Sequence, residues 1–574
     1  MASHAAIRWF DQGDRSVSST KQQVVLHPIM FALYPVAFLY SGNKALYAFS
    51  VTYAPAAVSV LFAGLVWFGL KQVLSDWNRA AIATSALLMA TFSYSSVSQA
   101  AQGLAGGGGS DFWSKMIAAC FVAVIAVVFF ALRSGKHLGQ VNYILNVVSI
   151  FLVAAPLFQA AIWNISMSSL ASTLPDRTEF NLNPIPEGTT AGPDIYYFVL
   201  DGYASEEFLR QDYGLDISAT VTALEQRGFT IADKAVANYP FTLASVNSSL
   251  NFTYLQDVLG DQLAGASGHQ FLGDLMRDNR TVRLLKSVGY QVVSFEGEYW
   301  EANIGGVDVN LKEWWFLNVF NLGILQMTPL SAALDAVGYA ALYEMHRIRT
   351  EYPFTHMRAA VDIPGPKFVY AHMYFGHPPF VFGENGERVS SAVGYTWNDG
   401  ARLLDGDGIA QAAYREGYRA QVTYLNKRLL ETVDEILANS EREPIIIMHG
   451  DHGPGARYDN EDLANTDVAE RYSIFYAAHL PGGGNEDIYD AMTPVNGLRI
   501  VFNRYFGTNY DLLDDRSYFA AYSLPYHYIP VPELSEPDPE DSARTLPSDQ
   551  SVIDEELLGS HQSTVGLKDS PGGD

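Results

Sequence analysis

The chain has 574 residues, 36 Lys and Arg against 62 Asp and Glu, and one cysteine, Cys120. This length exceeds one ordinary domain, and the net charge of −26 excludes a protein that binds nucleic acid through a basic surface. A single cysteine excludes an intrachain disulfide and a cysteine-cluster metal site, so any metal must be held by His and carboxylates.

Five apolar runs fill the first part of the chain, where residues 1–165 carry nine basic and only four acidic side chains. The runs occupy residues 24–41, 52–70, 79–97, 114–132 and 141–163. Each is about as long as a helix that crosses a bilayer core of about 30 Å. The first run lacks a small-residue cleavage pattern after it, which indicates a retained helix. The sequence therefore predicts a cytoplasmic tail at 1–22 and a five-helix transmembrane domain at 23–165.

The basic residues of this part are unevenly distributed between the two sides of the membrane. The tail and the loops after the second and fourth runs carry seven Lys or Arg residues, and the other two loops carry two. Because basic residues accumulate in cytoplasmic loops, the N-terminus is predicted to be cytoplasmic. An odd number of helices then places the rest of the chain outside the cytoplasm. We expect a multi-pass protein of the cell (inner) membrane whose larger domain is extracytoplasmic, or periplasmic.

Polar residues at 166–192 indicate a linker, beyond which the pattern becomes that of an α/β domain. Continuous apolar runs at 195–200, 367–372 and 444–449 predict strands that are buried on both faces. Between the last two runs, apolar residues at helical spacing predict one buried face of a long helix: Tyr418, Val422, Leu425, Leu429, Val433 and Ile436. We expect a mainly parallel β-sheet flanked by helices over 193–530, followed by an acidic, disordered tail at 531–574.

Asp201, His372 and Asp451 each stand at the end of a predicted strand. Parallel α/β sheets bind their ligands beyond the carboxyl ends of the strands, so these side chains should meet at one edge. Thr242 is expected to open a helix, whose N-terminus favours a phosphate and an attacking alkoxide. Two carboxylates, this hydroxyl and the imidazole of His452 make a tetrahedral set for zinc, or part of an oxygen-rich shell for manganese or magnesium.

Four short motifs carry these residues, and they follow the five apolar runs in a fixed order. They are LDGY at 200–203, NYPFTLAS at 238–245, AHMYFGHPPF at 371–380 and DH at 451–452. Together they resemble the alkaline phosphatase/sulfatase-like superfamily, and specifically its membrane-anchored phosphotransferase branch of lipoteichoic acid synthases and lipid A phosphoethanolamine transferases. The resemblance covers about residues 20–530 and implies an alkaline-phosphatase-like catalytic domain outside the membrane.

The resemblance also assigns roles to individual residues. It implies that Asp201, Thr242, Asp451 and His452 bind the metal and that Thr242 is the nucleophile. The His-x-x-x-x-His spacing before a proline matches His372 and His377, which are implied to contact the substrate phosphate or a second metal. His377 is also a candidate to act at the leaving oxygen.

Three further residues have open roles. Ser245 is the alternative nucleophile, one helical turn after Thr242. His449 precedes the Asp-His pair and either packs in the core or supports the ligands from behind. Arg471 is a candidate to bind a substrate phosphate, although most arginine side chains are solvated.

The nucleophile motif separates phosphoryl from sulfuryl chemistry within the resemblance. True sulfatases need a Cys or Ser that is converted to formylglycine, with Pro two and Arg four residues later. The segment TLASV at 242–246 has none of these features. A threonine nucleophile is suited to phosphoryl transfer through a phospho-threonine intermediate.

Our first hypothesis from the sequence is an integral-membrane, metal-dependent phosphotransferase. It moves a phospho-head group from a membrane phospholipid to an extracytoplasmic glycan or lipid, with one divalent metal. Zinc or manganese is expected, magnesium or calcium are alternatives, and a second ion is left open. A hydrolase of the same fold, a phosphodiesterase or phosphatase, is the alternative, because transferases usually have Glu where this chain has Asp201. A catalytically silent membrane scaffold is the third reading.

Overall fold

The computed structural model describes residues 24–104, 138–172, 184–297, 299, 302–313, 318–330, 333, 341–389, 396–406 and 408–531. The predicted cytoplasmic tail, the fourth apolar run and the acidic C-terminal tail lie outside the described residues.

Four long helices lie in the described part of the predicted membrane domain. They are α1 (His27–Gly42), α2 (Tyr53–Leu74), α3 (Trp77–Leu104) and α4 (Leu138–Ala171), with a short 3₁₀ turn at Phe49–Thr52 before α2. Among the described residues, two segments, Phe49–Leu74 and Leu138–Leu170, are long and apolar enough to cross a membrane, so the five-helix domain stays a prediction. Helix α1 has 16 residues, which is about 24 Å at 1.5 Å per residue. Helix α4 runs past the predicted boundary at residue 165.

Buried polar side chains join three of these helices near the N-terminal end of α1. His27 Nε2 donates to Asn142 Oδ1 on α4 at 2.7 Å, which leaves Nδ1 to accept from Ser85 Oγ on α3 at 2.6 Å. All three residues are fully buried. Hydrogen bonds between apolar helices stabilise a specific arrangement of those helices.

A mainly parallel sheet forms the centre of the second half of the chain, as predicted. It has seven strands among the described residues, of which the sequence identified three. Its strands are β1 (Ile195–Leu200), β2 (Thr230–Ile231), β3 (Gln291–Phe295), β4 (Val309–Leu311), β5 (Lys367–Met373), β6 (Ile445–His449) and β7 (Tyr476–His479). The order across the sheet is β2-β7-β6-β1-β5-β3-β4. Strands β6, β1, β5, β3 and β4 are parallel, and β7 is antiparallel to β6 and β2. A separate two-stranded ribbon pairs β8 (Tyr518–Phe519) with β9 (Ile529–Pro530).

Helices cover both faces of this sheet. They are α5 (Glu206–Asp212), α6 (Ser218–Glu225), α7 (Thr242–Asn251), α8 (Leu255–Leu259), α9 (Gln270–Arg277), α10 (Arg280–Ser287), α11 (Val319–Gln326), α12 (Ala341–Val361), α13 (Gln411–Asn439), α14 (Val468–Tyr472) and α15 (Pro494–Phe506). The six residues predicted to form the buried face of a long helix all lie on α13 and are fully buried. Alternate residues of β1 enter two different cores, Tyr197 and Val199 on one face and Phe198 and Leu200 on the other. This alternation explains the continuous apolar run of the strand.

The register of the three central strands brings their carboxyl ends together. Val199 of β1 pairs with His372 of β5 and, on its other side, with His449 of β6. Asp201 and Asp451 therefore leave neighbouring strands at the same edge of the sheet.

Candidate active site

Thr242 is the first residue of α7, as predicted. The preceding Phe241 is extended, with φ −141° and ψ 151°, and every residue of α7 is buried in the core. Thr242 is 8% exposed, whereas Ser245 on the next turn is fully buried. The free backbone N–H groups of the first helical turn give this end a positive potential. The threonine hydroxyl, and not that of Ser245, lies at the end of the helix where an anion is favoured.

The carboxylates of Asp201 and Asp451 lie close to each other, and both residues are buried. Asp451 Oδ1 accepts from Gly202 N at 3.1 Å and from His452 N at 3.0 Å. Asp451 Oδ2 and Asp201 Oδ1 have no hydrogen-bond partner among the described residues. Buried carboxylate oxygens are normally satisfied, so two unpaired oxygens in one place indicate a site for a cation.

Two imidazoles complete this group. His372 Nε2 is 3.4 Å from Asp201 Oδ2 and 4.0 Å from Asp451 Oδ2. His452 Nε2 is 3.5 Å from an oxygen of each acid and 3.3 Å from Thr242 Oγ1. His452 Nδ1 lies 2.9 Å from the Gly453 carbonyl oxygen. Because a carbonyl only accepts, Nδ1 carries the hydrogen and Nε2 directs its lone pair at the group.

These residues fit a divalent metal ion. Ligand atoms of Asp201, His372 and Asp451 all lie within 4.8 Å of one another, and all three residues are buried. With His452 and the Thr242 hydroxyl, the set contains oxygen and nitrogen donors of the kind that zinc and manganese prefer. The resemblance implied that His372 contacts the substrate phosphate or a second metal, and the structure places its Nε2 within 4.0 Å of an oxygen of each acid. The identity of each ligand remains a prediction.

The electrostatics of the group follow from burial and close charges. Burial, together with the charge on Asp451, raises the pKa of Asp201 well above its ordinary value. Burial opposes ionisation of Asp451 as well, but His452, His372 and the Thr242 hydroxyl outweigh it and hold its pKa well below the usual range. Burial and the charge of Arg471 lower the pKa of His452 to about 4. The imidazole of His452 is therefore neutral near pH 7, which is the form that binds a metal.

Arg471 lies in the site but does not extend into open solvent. Its Nε donates to the Pro240 carbonyl oxygen at 2.6 Å. Its Nη1 donates to Asp399 Oδ2 at 2.8 Å and to the Gly453 carbonyl oxygen at 3.1 Å. The guanidinium also lies 3.9 Å from the centre of the Tyr458 ring. Arg471 thus joins the segment before Thr242 to the segment after the Asp-His pair.

Asp399 is the residue of this site that sequence reasoning missed. Its Oδ1 accepts from the Tyr414 hydroxyl at 2.9 Å, and Tyr414 in turn accepts from Gly455 N at 2.8 Å. Although burial opposes its ionisation, Arg471 and then His377 and His452 lower the pKa of Asp399 to about 2. In the sequence it stands in an Asn-Asp-Gly segment, which is typical of a turn and carries no functional signal.

His377 lies in the loop after β5, which packs directly on the loop after β1. Gly376 N donates to the Asp201 carbonyl oxygen at 2.6 Å, and a Cβ on Gly202 would lie 2.9 Å from the Gly376 carbonyl carbon. The His377 side chain is half-buried, with Nδ1 donating to the Pro378 carbonyl oxygen and the ring 6.1 Å from that of Trp397. The contacts described for the metal-binding group do not include it.

His449 belongs to the core behind the site. Its Nδ1 donates to the Gly450 carbonyl oxygen at 2.8 Å, so its Nε2 accepts from the Tyr197 hydroxyl at 2.7 Å. Its ring stacks on Tyr476 at 5.8 Å between ring centres. These contacts favour the packing role.

No protein-family profile and no curated protein matches the chain, but solved structures do. The periplasmic domain of EptC from Escherichia coli, in complex with Zn, is 12% identical, with a TM-score of 0.34 over 58% of this chain and 88% of that one. The integral membrane protein lipooligosaccharide phosphoethanolamine transferase A from Neisseria meningitidis is 11% identical, with a TM-score of 0.35 over 84% of this chain and 94% of that one. Phosphonate monoester hydrolase of Agrobacterium radiobacter is 11% identical, with a TM-score of 0.36 over 57% and 80%.

Sulfatases are among the further matches. These are the kinds of protein that the sequence motifs resemble. Identities of 11 to 12% and TM-scores of 0.34 to 0.37 carry nothing about substrate, metal or mechanism. Proposals about substrate, metal and mechanism are therefore based on the residues of the site.

Proposed function

We propose that the protein is an integral-membrane, metal-dependent phosphotransferase. It moves a phospho-head group from a membrane phospholipid to an extracytoplasmic glycan or lipid acceptor through phospho-Thr242. The observation that carries the proposal is the position of the Thr242 hydroxyl at a helix N-terminus, 3.3 Å from His452 Nε2 and beside two buried acids with unpaired oxygens. A hydroxyl in that position is equipped to attack phosphorus.

The residues have separable tasks in this reaction. Asp201, His372, Asp451 and His452 would hold the divalent ion, and Thr242 lies next to them. The bound ion supplies positive charge that lowers the pKa of a nearby hydroxyl and offsets charge on the phosphoryl oxygens. The free N–H groups at the start of α7 would add positive potential for the same phosphate.

The transfer balances as two displacements at phosphorus. In the first, Thr242 Oγ1 gives its proton to water and forms a bond to phosphorus, while the bond from phosphorus to the glycerol oxygen breaks. The diacylglycerol oxygen leaves with a proton from His377. In the second, His377 removes the proton of an acceptor hydroxyl, the acceptor oxygen bonds to phosphorus, and Thr242 is released and takes up a proton. Hydrolysis would differ only in that water is the acceptor.

The membrane half supports a lipid substrate. Helix α4 has 34 residues and is about 51 Å long, against about 30 Å for a bilayer core. Two described segments are apolar enough to cross a membrane. With the predicted orientation, the site lies on the extracytoplasmic side, where the donor would be a lipid of the outer leaflet.

The test is the adduct on Thr242. The purified full-length protein, loaded with Zn²⁺ or Mn²⁺, is incubated with vesicles of phosphatidylethanolamine and phosphatidylglycerol, and the peptide containing Thr242 is examined by mass spectrometry. We expect a head-group phosphate on Thr242 that is absent from Thr242→Ala and unchanged in Ser245→Ala. An adduct that persists until an acceptor alcohol is added supports transfer, and rapid loss in water supports the hydrolase. Turnover that survives in Thr242→Ala overturns the mechanism.

A further inference from the structure

A large pocket lies beside the candidate active site, between the loop at 378–389 and the start of α13. Its volume is about 1170 Å³, which exceeds the roughly 300–1,000 Å³ that is typical of small-molecule sites. The pocket can therefore hold a ligand of several ring units. The two displacements at phosphorus do not themselves identify what occupies it.

The pocket and the active site share two boundaries. Pro378 and Pro379, which line the pocket, directly follow His377, whose Nδ1 donates to the Pro378 carbonyl oxygen. Tyr414 also lines the pocket, and its hydroxyl donates to Asp399 Oδ1 at 2.9 Å. In the proposed reaction His377 removes the proton of the acceptor hydroxyl. A molecule in this pocket would therefore approach the site from the side of that base.

Aromatic side chains give the pocket an apolar wall of defined shape. The Phe380 ring meets that of Tyr414 edge-on, with 5.1 Å between centres and 89° between planes. A Cβ on Gly417 would lie 2.5 Å from Phe380 Cδ2, so the glycine allows this ring to lie directly on α13. Phe380 and Tyr343 line the pocket and are partly exposed. Their rings leave apolar surface for a ligand.

Charged groups of both signs surround this wall. The carboxylates and guanidiniums among the described lining residues belong to Glu384, Glu387, Glu416, Arg415 and Arg419. Arg415 is held in place, because its Nη1 donates to the Asp212 carbonyl oxygen at 2.8 Å and its guanidinium lies 4.8 Å from the centre of the Tyr213 ring. Ala410 caps α13 without a side-chain hydrogen bond, so N–H groups of the first helical turn keep their capacity to donate. The pocket thus offers acceptors and donors beside apolar rings, without a large excess of either charge.

This combination favours a saccharide. A sugar ring has hydroxyl groups around its edge, which donate and accept hydrogen bonds, and C–H groups on its faces, which pack on aromatic rings. An acyl chain would displace water from the charged side chains and give them no hydrogen bonds in return, which is unfavourable. A phosphorylated ligand would bring further negative charge close to three carboxylates. The chemistry of the lining therefore suits an uncharged saccharide best.

We propose that this pocket binds the acceptor of the second displacement, and that the acceptor is an uncharged saccharide which presents one hydroxyl to His377. The inference rests on the proposed function, which leaves the acceptor open as a glycan or a lipid. In this step the saccharide oxygen bonds to phosphorus, and the bond from phosphorus to Thr242 Oγ1 breaks. His377 takes the hydroxyl proton, and Thr242 takes up a proton from water.

The first measurement is binding, which does not require turnover. The full-length protein in lipid nanodiscs is tested against neutral gluco-, manno-, galacto- and N-acetylglucosamine oligosaccharides and their phosphorylated forms. A photoreactive diacylglycerol tests the lipid alternative, with labelled peptides identified by mass spectrometry. We expect at least one neutral oligosaccharide to bind more tightly than its phosphorylated form. Binding of phosphorylated forms alone, labelling of residues 378–384 by the diacylglycerol, or no binding of any oligosaccharide overturns the inference.

A pocket-filling variant locates the binding. Ala413 lines the pocket from an exposed position of α13, so Ala413→Trp places a large ring in the pocket without entering the core. It should weaken binding of the neutral oligosaccharide by about tenfold or more. Ala438→Trp is the matched control, at an exposed position of the same helix about 37 Å away, and it should bind as the unmodified protein does. Equal affinity in Ala413→Trp and Ala438→Trp places the saccharide elsewhere and overturns the inference.

The second measurement follows the fate of the Thr242 adduct in the metal-loaded protein. With the bound oligosaccharide present, the adduct gives either phosphorylated saccharide or head-group phosphate released to water. The ratio of the first product to the second should fall by about tenfold in Ala413→Trp and stay within about twofold in Ala438→Trp. An unchanged ratio in Ala413→Trp overturns the inference. Absence of an adduct in an unmodified protein that still binds the saccharide would instead reject the proposed function.

Discussion

Arg471 Nη1 lies 2.8 Å from Asp399 Oδ2, and both side chains are buried beside the nucleophile. Through Pro240 and Gly453 the same guanidinium holds the segments that carry Thr242 and His452. Removing one partner of a buried ion pair leaves an uncompensated charge and costs about 3–5 kcal/mol. The pair therefore fixes the distance between the nucleophile and the metal-binding residues.

The first prediction concerns the shape of this guanidinium. Arg471→Lys keeps the charge but removes the planar fork that serves three acceptors. We expect adduct formation on Thr242 to slow by about 10- to 100-fold, because a small displacement of the nucleophile is costly, while the bound metal is retained. Stopped-flow assays and metal analysis measure the two effects. Arg457→Lys, which changes a half-buried arginine outside the site, is the control. A rate unchanged in Arg471→Lys would contradict the positioning role.

The second prediction concerns the like charges of Asp201 and Asp451. Burial and the Asp451 charge raise the pKa of Asp201. Asp201→Asn therefore removes a buried carboxyl group that is destabilised by its neighbour in the metal-free protein. We expect the metal-free variant to melt at or above the temperature of the unmodified protein. Added Zn²⁺ or Mn²⁺ should then stabilise only the unmodified protein, by about 2.7 kcal/mol at 100 times Kd.

Thermal unfolding with and without metal measures both parts of this prediction. Asp434→Asn, at an exposed ion pair with Arg227, controls for the loss of a carboxylate elsewhere. Equal stabilisation of Asp201→Asn by metal would remove Asp201 from the ligand set.

The third prediction is a loss of stability in acid that involves His269. Burial lowers the pKa of this imidazole to about 4, while Tyr522 and Glu461 oppose the shift and Arg402 adds to it. Between pH 6.5 and pH 4, His269 binds a proton in the unfolded chain but not in the folded chain. The free energy of unfolding therefore falls on acidification. The full contribution is on the order of 3 kcal/mol.

Denaturant unfolding at pH 7 and pH 5 measures this loss. His269→Gln, which keeps an N–H donor and cannot titrate, should lose less stability between these values than the unmodified protein. An unaltered pH dependence in His269→Gln would show that His269 is protonated in the folded state.

The apolar patterns predicted three adjacent central strands of the sheet, β6, β1 and β5, because a continuous apolar run reports burial on both faces. The continuous run before His449 became β6, and the spacing of apolar residues placed the buried face of α13. Strand periodicity also distinguishes His449 from its neighbours. His449 lies on the same face of β6 as Ile445 and Ile447, which belong to the apolar core that contains Tyr197. Met448 lies on the opposite face, in the second core.

The remaining parts depend on tertiary contacts that local patterns do not encode. Asp399 stands in an ordinary turn, and its partner Arg471 is 72 residues away. The place of His372 follows from the register of β5 against β1. Phe320 packs against Val36 and Tyr40 of α1. This contact depends on how the α/β domain packs on the N-terminal helices, which the apolar pattern of neither part predicts.

The last prediction separates His377 from the metal-binding residues. If His377 protonates the leaving oxygen, its importance must depend on the leaving group, because a stable anion needs no proton. His377→Gln should slow adduct formation from phosphatidylethanolamine, which releases a poorly stabilised glycerol alkoxide, by about 100-fold. With bis(p-nitrophenyl) phosphate the same variant should react within about threefold of the unmodified protein. His372→Gln is the matched control, and it should slow both reactions because it weakens the metal site. Equal losses with both donors in His377→Gln would instead assign His377 to binding the phosphate that both substrates share.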